Sequence, residues 1–409
     1  MIKAVEIEQV EKIYSFYVRK LRIKTNFGTI ETPRLSFTTT DINYLIDVPT
    51  TIDIRDDIVV LTNLRWLSPE AILNKDSYID RAKKNLYEIK QKVSGQTKII
   101  IPYIYATKKY IASLNYEEKK KFIVKAIEYQ QELNFSDIVI PDMKLPLDSH
   151  GKFLGELAAQ YDNVNLIPIV SDDNLQVLKY VIEKERFNTV IINFGKKENM
   201  DYYRALSNDI LKYKDKNIFI LGVGSTNTVK IPASQGIADL APLQLFTPFL
   251  GIDSTLTIPS IPYKEQRPKN VNEKYQKIKQ TINRLRVLDP ITLKYTTFVE
   301  LKEKLVEYMQ TIRKYVRVDD DEVLKYDILP NLPSLYEIPS PDDIERLELY
   351  EKKLERVRKL FKVLNTCMLE TEYNTLSNYI SQGRVKEYLR KRKIIDKVIG
   401  ADITRFSEE

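Results

Sequence analysis

Between residues 20 and 255 the chain alternates short, almost wholly apolar runs with longer stretches in which apolar residues recur every three or four positions. Apolar runs of about four to eight residues mark strands buried on both faces, as in a parallel sheet. Ile58–Thr62, Lys98–Tyr105, Asp137–Pro141, Asn165–Val170, Thr189–Gly195 and Ile218–Gly224 have this character. Residues 116 to 133 carry apolar or aromatic side chains at 122, 123, 126, 127 and 129, and residues 174 to 184 carry them at 175, 177, 178, 181 and 182. That spacing predicts helices laid on a sheet. Ahead of them, Leu21 to Pro33 alternates around Asn26-Phe27-Gly28 and predicts a β-hairpin. Repeated strand–helix units over this length predict an α/β fold, a (β/α)8 barrel of the TIM type. A doubly wound sheet is the alternative, because periodicity does not encode strand order.

The pattern changes after residue 257. The stretch from Ile258 through Pro259, Pro262 and Pro268 to about residue 275 reads as a linker between a barrel over 1–257 and a mainly helical C-terminal domain over 276–409. Within that domain Ser340-Pro341 has the form of an N-cap followed by proline at the first helical position. Ile344, Leu347, Tyr350, Leu354, Val357, Phe361 and Leu364 then form one apolar stripe, which predicts a long helix packed on its own domain or on a partner helix.

Composition narrows the chemistry. At 43% hydrophobic and 30% charged residues the chain is that of a folded protein. The net charge of +7, from 64 basic against 57 acidic residues, suits a polyanionic partner without demanding one. One cysteine, Cys367, and one histidine, His150, exclude an internal disulfide and a Cys/His metal cage; no cofactor and no zinc site are expected, and a carboxylate-held Mg²⁺ is the one metal left open. No apolar run of about 18 residues and no signal-like amino terminus is present, which points to the cytoplasm and away from membranes.

Several residues stand where barrel chemistry occurs, after the carboxyl ends of strands. Asp142 follows Asp137–Pro141 and is either a pocket carboxylate or the cap of the next loop. Gly222 and Gly224 allow a tight turn or a close backbone approach to a ligand. Asp172 and Asp173 line the mouth or, with Ser171, cap a helix. Asp239 is a catalytic carboxylate or a surface one, and His150 reads as a loop residue. Near the C-terminus Arg384, Lys386, Arg390, Lys391, Arg392 and Lys393, with Tyr379 and Tyr388 among them, suit phosphate and base contacts; a solvated helix end is the other reading.

The order of these segments resembles the tRNA-guanine transglycosylase family. Phe27-Gly-Thr-Ile-Glu-Thr-Pro-Arg is similar to that family's Gly-x-Ile-x-Thr-Pro opening, and Asp57-Ile-Val-Val-Leu-Thr-Asn-Leu to its strand ending in Thr-Asn. Ser136-Asp-Ile-Val-Ile-Pro-Asp-Met-Lys-Leu-Pro resembles its base-recognition strand. Ile167-Pro-Ile-Val-Ser-Asp-Asp, Ile191-Ile-Asn-Phe-Gly and Leu221-Gly-Val-Gly then follow in the family's order. Gly236-Ile falls where the family has a Gly-Ile or Gly-Cys pair, and Glu372-Tyr-Asn-Thr-Leu resembles an archaeal terminal helix.

The resemblance implies exchange of a nucleic-acid guanine, in tRNA or in DNA, for a 7-deazaguanine. The expected partners are tRNA or another nucleic acid, a purine or 7-deazapurine base, and a second subunit, as a homodimer or a heterodimer with an active transglycosylase. Such chemistry needs one carboxylate to attack the anomeric carbon and another to manage protons, on a base drawn out of its stack. Here the sequence departs. Pro102-Tyr103-Ile104-Tyr105 stands where the family has Asp-Ser-Gly, and Ala241 stands at the nucleophile's position, five residues beyond Gly236. Tyr373 occupies the place of a zinc-ligating histidine, and only Cys367 remains of three cysteines. Two readings follow: a transglycosylase-like enzyme using Asp142 and Asp239, with Asp142, Gly222, Gly224 and Asp172 around the base, or a non-catalytic paralogue that binds RNA or DNA or partners an active transglycosylase.

Overall fold

The computed structural model describes residues 1–14, 16–47, 57–63, 80, 83–84, 87–88, 97–103, 108–171, 176–183, 187–194, 200–224, 228–231, 239–256, 270–304, 310, 315 and 333–406. The chain opens with an antiparallel sheet of β1 (Ile2–Ile13), β2 (Phe16–Thr25) and β3 (Gly28–Glu31). The predicted 21–33 hairpin is β2 and β3; β1, which pairs along the full length of β2, had no counterpart among the predicted strands. Its one-residue alternation is blurred by two register shifts.

Next come β4 (Arg34–Leu35), β5 (Phe37–Thr38), α1 (Thr39–Asp47), β6 (Asp57–Asn63), β7 (Thr97–Tyr103), α2 (Lys108–Ser113), α3 (Tyr116–Glu132), β8 (Asp137–Ile140), α4 (Leu147–Gln160), β9 (Asn165–Ser171), α5 (Gln176–Glu183), β10 (Thr189–Asn193), α6 (Met200–Leu211) and β11 (Phe219–Val223). A hairpin of β12 (Thr228–Ile231) and β13 (Asp239–Pro242), two short 3-10 turns and β14 (Ser254–Leu256) complete this part. β4, β14, β11, β10, β9 and β8 form a six-stranded parallel sheet, and β5, β6 and β7 a three-stranded one. The architecture is therefore mixed α/β with parallel strands. Each of the six apolar runs picked out above lies on one of these strands, whereas β4, β5 and β14 are too short and polar to stand out.

Two apolar layers sandwich the strands. Val59, Ile99, Ile101, Val139, Ile167, Ile169, Ile191, Phe219 and Leu221 take alternate positions on six strands and gather into one cluster with Ile2, Val5, Leu21, Ile23 and Ile30 of the N-terminal sheet. The N-terminal sheet thus covers the amino ends of the strands. The intervening residues, such as Ile138, Val190 and Ile220, face the helices. α3 illustrates the local logic: Asn115 accepts from the Glu118 N–H while Glu118 returns a bond to the Asn115 N–H, a capping box. Its buried Gln130 then donates to Val139 O at 2.8 Å and accepts from Val139 N at 2.8 Å, stitching α3 to β8.

The amino end is also tied by an ion pair. Arg19 of β2 sends Nε and Nη2 to the two oxygens of Asp253 at 2.7 and 2.6 Å, and its remaining donors reach Ile218 O and Lys216 O. Asp253 also accepts the Ile220 N–H at 2.7 Å. Both side chains are buried, so the pair is held by complete hydrogen bonding, without which burying two charges costs several kcal/mol.

After the segment following β14 come α7 (Val271–Arg284), β15 (Arg286–Leu288), β16 (Tyr295–Thr297), α8 (Phe298–Leu301), the 38-residue α9 (Ile344–Ser381), α10 (Val385–Lys391) and α11 (Lys393–Phe406). The stripe expected on α9 is buried from Leu347 to Leu364, but Ile344 is 53% exposed. The helix starts later than expected: Asp343, not Ser340, is the cap, accepting from the Arg346 N–H at 3.2 Å. Ser340 instead accepts from the Asp342 N–H in the preceding turn. α9 packs on β2, β4, α1 and α7. One continuous apolar core therefore runs from Phe37 and Phe249 into Phe298, Phe361 and Tyr388.

Candidate functional site

At the carboxyl ends of the parallel strands the inner lining gains polar groups on β7, β9 and β10. Ile101, Ile169, Ile191 and Leu221 form one layer of the inner cluster. Two residues further on, at the strand period, stand Tyr103, Ser171, Asn193 and Val223. Asn193 is in register with both Ser171 and Val223. Its Nδ2 donates to the Tyr103 hydroxyl at 3.5 Å, and Tyr103 is buried.

Asp142 lies two residues past β8. The Ser171 hydroxyl donates to its Oδ2, Lys144 Nζ stands 3.1 Å from the same oxygen, and the Lys144 N–H donates to Oδ1 at 3.0 Å. Closing that turn puts Lys144 at φ +52°, a left-handed conformation that costs an L residue about 1 kcal/mol. Asp142 thus caps its own loop and, through Ser171, adjoins the polar layer. Ser171 ends β9, and the reading of Ser171 or Asp172 as a helix cap turns on positions outside the described residues. Asp172, Asp173 and Gly236 lie outside the described residues.

His150 is not a loop residue. It sits in the first turn of α4, 3% exposed, with Nδ1 free of any hydrogen bond. Burial holds its pKa below the ordinary histidine value; the Asp142 charge opposes this and the Lys144 charge reinforces it.

Asp239 opens β13, and its carboxylate lies 2.7 Å from Lys294 Nζ, just before β16. It ties the β12–β13 hairpin to the C-terminal part. Among the described residues no hydrogen bond or ion pair joins it to Asp142. Ala241, at the nucleophile's expected place, is fully buried opposite Val229. Gly222 presents its Cα to the outer layer: a Cβ there would stand 2.7 Å from the Phe194 ring and 2.9 Å from Ile252, so its glycine is needed for packing. Gly224 has φ +97° at the end of β11, where glycine makes the turn without strain.

The positions corresponding to zinc ligands do not fit a metal. Tyr373 donates to Gln244 O at 2.8 Å and shares a bond with Thr247 at 3.0 Å, and burial pushes its hydroxyl up to about 12. Burial likewise pushes the Cys367 thiol up to about 12. Among the described residues no group of three His, Cys, Asp or Glu side chains could hold a metal ion. No described helix is long and apolar enough to cross a membrane.

No family model matches the chain, and no curated protein sequence matches it. Among solved structures, an N-terminally His-tagged D-allulose 3-epimerase from Methylomonas sp. is similar over 58% of this chain and 89% of its own, with 13% identity and a TM-score of 0.29. Likeness at that level adds nothing to the strand order above, which stands on its own ladders.

The basic run divides by use. Arg384 pairs with Glu387, Lys391 Nζ meets the Tyr379 hydroxyl at 2.5 Å, and Arg392 grips Glu372 with two bonds of 2.7 Å. Lys386, Arg390 and Lys393 are exposed. Sequence reasoning missed Tyr103, Ser171 and Asn193 as a group. The available signal was the polar residue at the inward phase where three of the apolar runs end.

Proposed function

We propose that this chain is a transglycosylase-like, nucleic-acid-binding protein whose barrel has given up the family's aspartate-dependent base exchange: the non-catalytic paralogue. One observation carries the reading. The nucleophile's position holds the fully buried Ala241, and the nearest carboxylate, Asp239, is held by Lys294. An alanine cannot attack an anomeric carbon, and a carboxylate spent on a lysine is drawn away from doing so.

The reading includes a (β/α)8 barrel over 1–257, a linker over 258–275 and a helical unit over 276–409. Its support is that residues 34–38 pair with β14 on one side and β6 on the other, while β7 lies alongside β8. Counting 34–38 as one strand gives eight. The mouth of that barrel offers a phenol, an amide, a hydroxyl and a carboxylate, donors and acceptors suited to the edge of a purine or 7-deazapurine base. The protein acts in the cytoplasm with tRNA or another nucleic acid, as a homodimer or beside an active transglycosylase.

The test is base exchange with labelled guanine and bulk tRNA, over a range of temperatures. The expected result is no incorporation by the protein alone, together with salt-sensitive retention of tRNA. Incorporation by the pure protein, abolished by Asp239→Asn or Asp142→Asn, would overturn the reading in favour of an active enzyme using those carboxylates.

A further inference from the structure

The two ends of the chain build one surface. Tyr14 stands at the turn joining β1 and β2, at φ +56° and 41% exposed. Its hydroxyl donates to Asp396 Oδ1 of α11 at 3.0 Å, and its ring lies 3.5 Å from where a Cβ on Gly400 would stand. The bond to Asp396 is the main influence raising the pKa of the phenol, and the charge of nearby Arg390 opposes it. α10 also packs on β1.

Residues 384–397 carry seven cations, Arg384, Lys386, Arg390, Lys391, Arg392, Lys393 and Lys397, against two carboxylates. Both carboxylates are engaged: Glu387 with Arg384 and Asp396 with Tyr14. Arg392 is bound inward to the buried Glu372, while Lys391, itself exposed, meets the Tyr379 hydroxyl at the surface. Lys386 and Arg390, one turn apart on α10, and Lys393 at the start of α11 are exposed. Among the described residues none of these three makes a hydrogen bond or ion pair. An excess of unspent cations beside a fixed, half-exposed aromatic ring is suited to a phosphate backbone with an unstacked base.

We infer that this surface is a polynucleotide-binding face, with Lys386, Arg390 and Lys393 on phosphates and the Tyr14 ring under an unpaired base. It rests on the nucleic-acid reading above and names the surface and residues that serve it. Arg392, which sequence alone grouped with the others, is tied to the buried Glu372, and Arg384 is taken up by its neighbour Glu387.

The experiment measures retention of bulk tRNA, and of a duplex DNA in a second arm, by the full-length protein across a salt series. The variants are K386Q/R390Q/K393Q, Tyr14→Ala, Tyr14→Phe and a charge-matched control on α3, K119Q/K121Q/K125Q. The basic triple variant is expected to lose at least about tenfold in affinity and to lower the log–log salt slope by about 2, with the control near wild type. Tyr14→Ala weakens binding about tenfold, while Tyr14→Phe keeps the ring and the affinity. If the same losses appear with DNA rather than tRNA, the face stands and the polynucleotide is DNA. Wild-type affinity and slope in the basic triple variant, with loss in the control, overturns the face while leaving nucleic-acid binding intact. Unchanged binding by Tyr14→Ala removes the stacking role. A wild-type protein that retains neither nucleic acid at low salt sinks both this inference and the function proposed above.

Discussion

The two ends of the same parallel strands have been put to different uses. At the amino end Ile2, Val5, Leu21, Ile23 and Ile30 close over the strands, and the Arg19–Asp253 pair has every strong donor and acceptor matched. At the carboxyl end the lining turns to Tyr103, Ser171 and Asn193, beside a carboxylate held in a strained turn and a histidine whose Nδ1 is unmet. Saturated buried polar groups fix a structure; incompletely matched ones wait for something else. Of the two ends, the carboxyl one is where polar side chains line the inner layer and where the His150 Nδ1 lacks a partner.

The largest effect that would test this contrast is at the amino end. Arg19→Met leaves Asp253 buried without its partner and is expected to cost about 3–5 kcal/mol in urea unfolding. A loss under about 1 kcal/mol would mean that the amino end is not the rigid one. Next is Gly222→Ala, which drives a methyl into the Phe194 ring and Ile252 and should cost about 1–3 kcal/mol, read the same way. Were it neutral, the glycine would be free for a ligand after all.

His150 gives a pH signature that the chain's lack of other histidines makes readable. Unfolded histidine titrates near about 6.5, and burial holds the folded value lower. The unfolded chain therefore binds the proton first as pH falls. Full stability is present above about pH 6.5 and declines below it until the folded value is passed, by up to about 1.4 kcal/mol per pH unit. His150→Gln should remove that slope between about pH 6.5 and 5.5, and an identical slope in the variant would show that His150 is solvated. The smallest effect is Ser171→Ala, where Asp142 keeps both Lys144 contacts; under about 1 kcal/mol is expected by thermal melting. A larger loss would make the carboxyl end as structural as the amino end.

Strands buried on both faces were legible because their apolar runs are uninterrupted, and α3 because its apolar residues recur at the helical spacing. β1 escaped because register shifts blur its alternation, and β4, β5 and β14 because two or three residues carry no period. Among candidate site residues, Asp142 was legible from its place after a strand. Asp239 was legible as a carboxylate, but its bond to Lys294 joins positions 55 residues apart that no local pattern links. His150 was misread as a loop residue because a glycine follows it, although Gly151 is there to admit the Tyr180 ring.

By itself, then, the sequence determined the six doubly buried strands and the strongly striped helices, the poverty in metal ligands and the absence of a carboxylate at Ala241. These are local properties of residue type and spacing. Only the tertiary structure decided which cations are spent inward, which polar residues share the inner layer at the strand ends, and that Tyr14 and Asp396 meet from opposite ends of the chain. Those are pairings at long sequence separation, and their energy depends on burial that the fold alone creates.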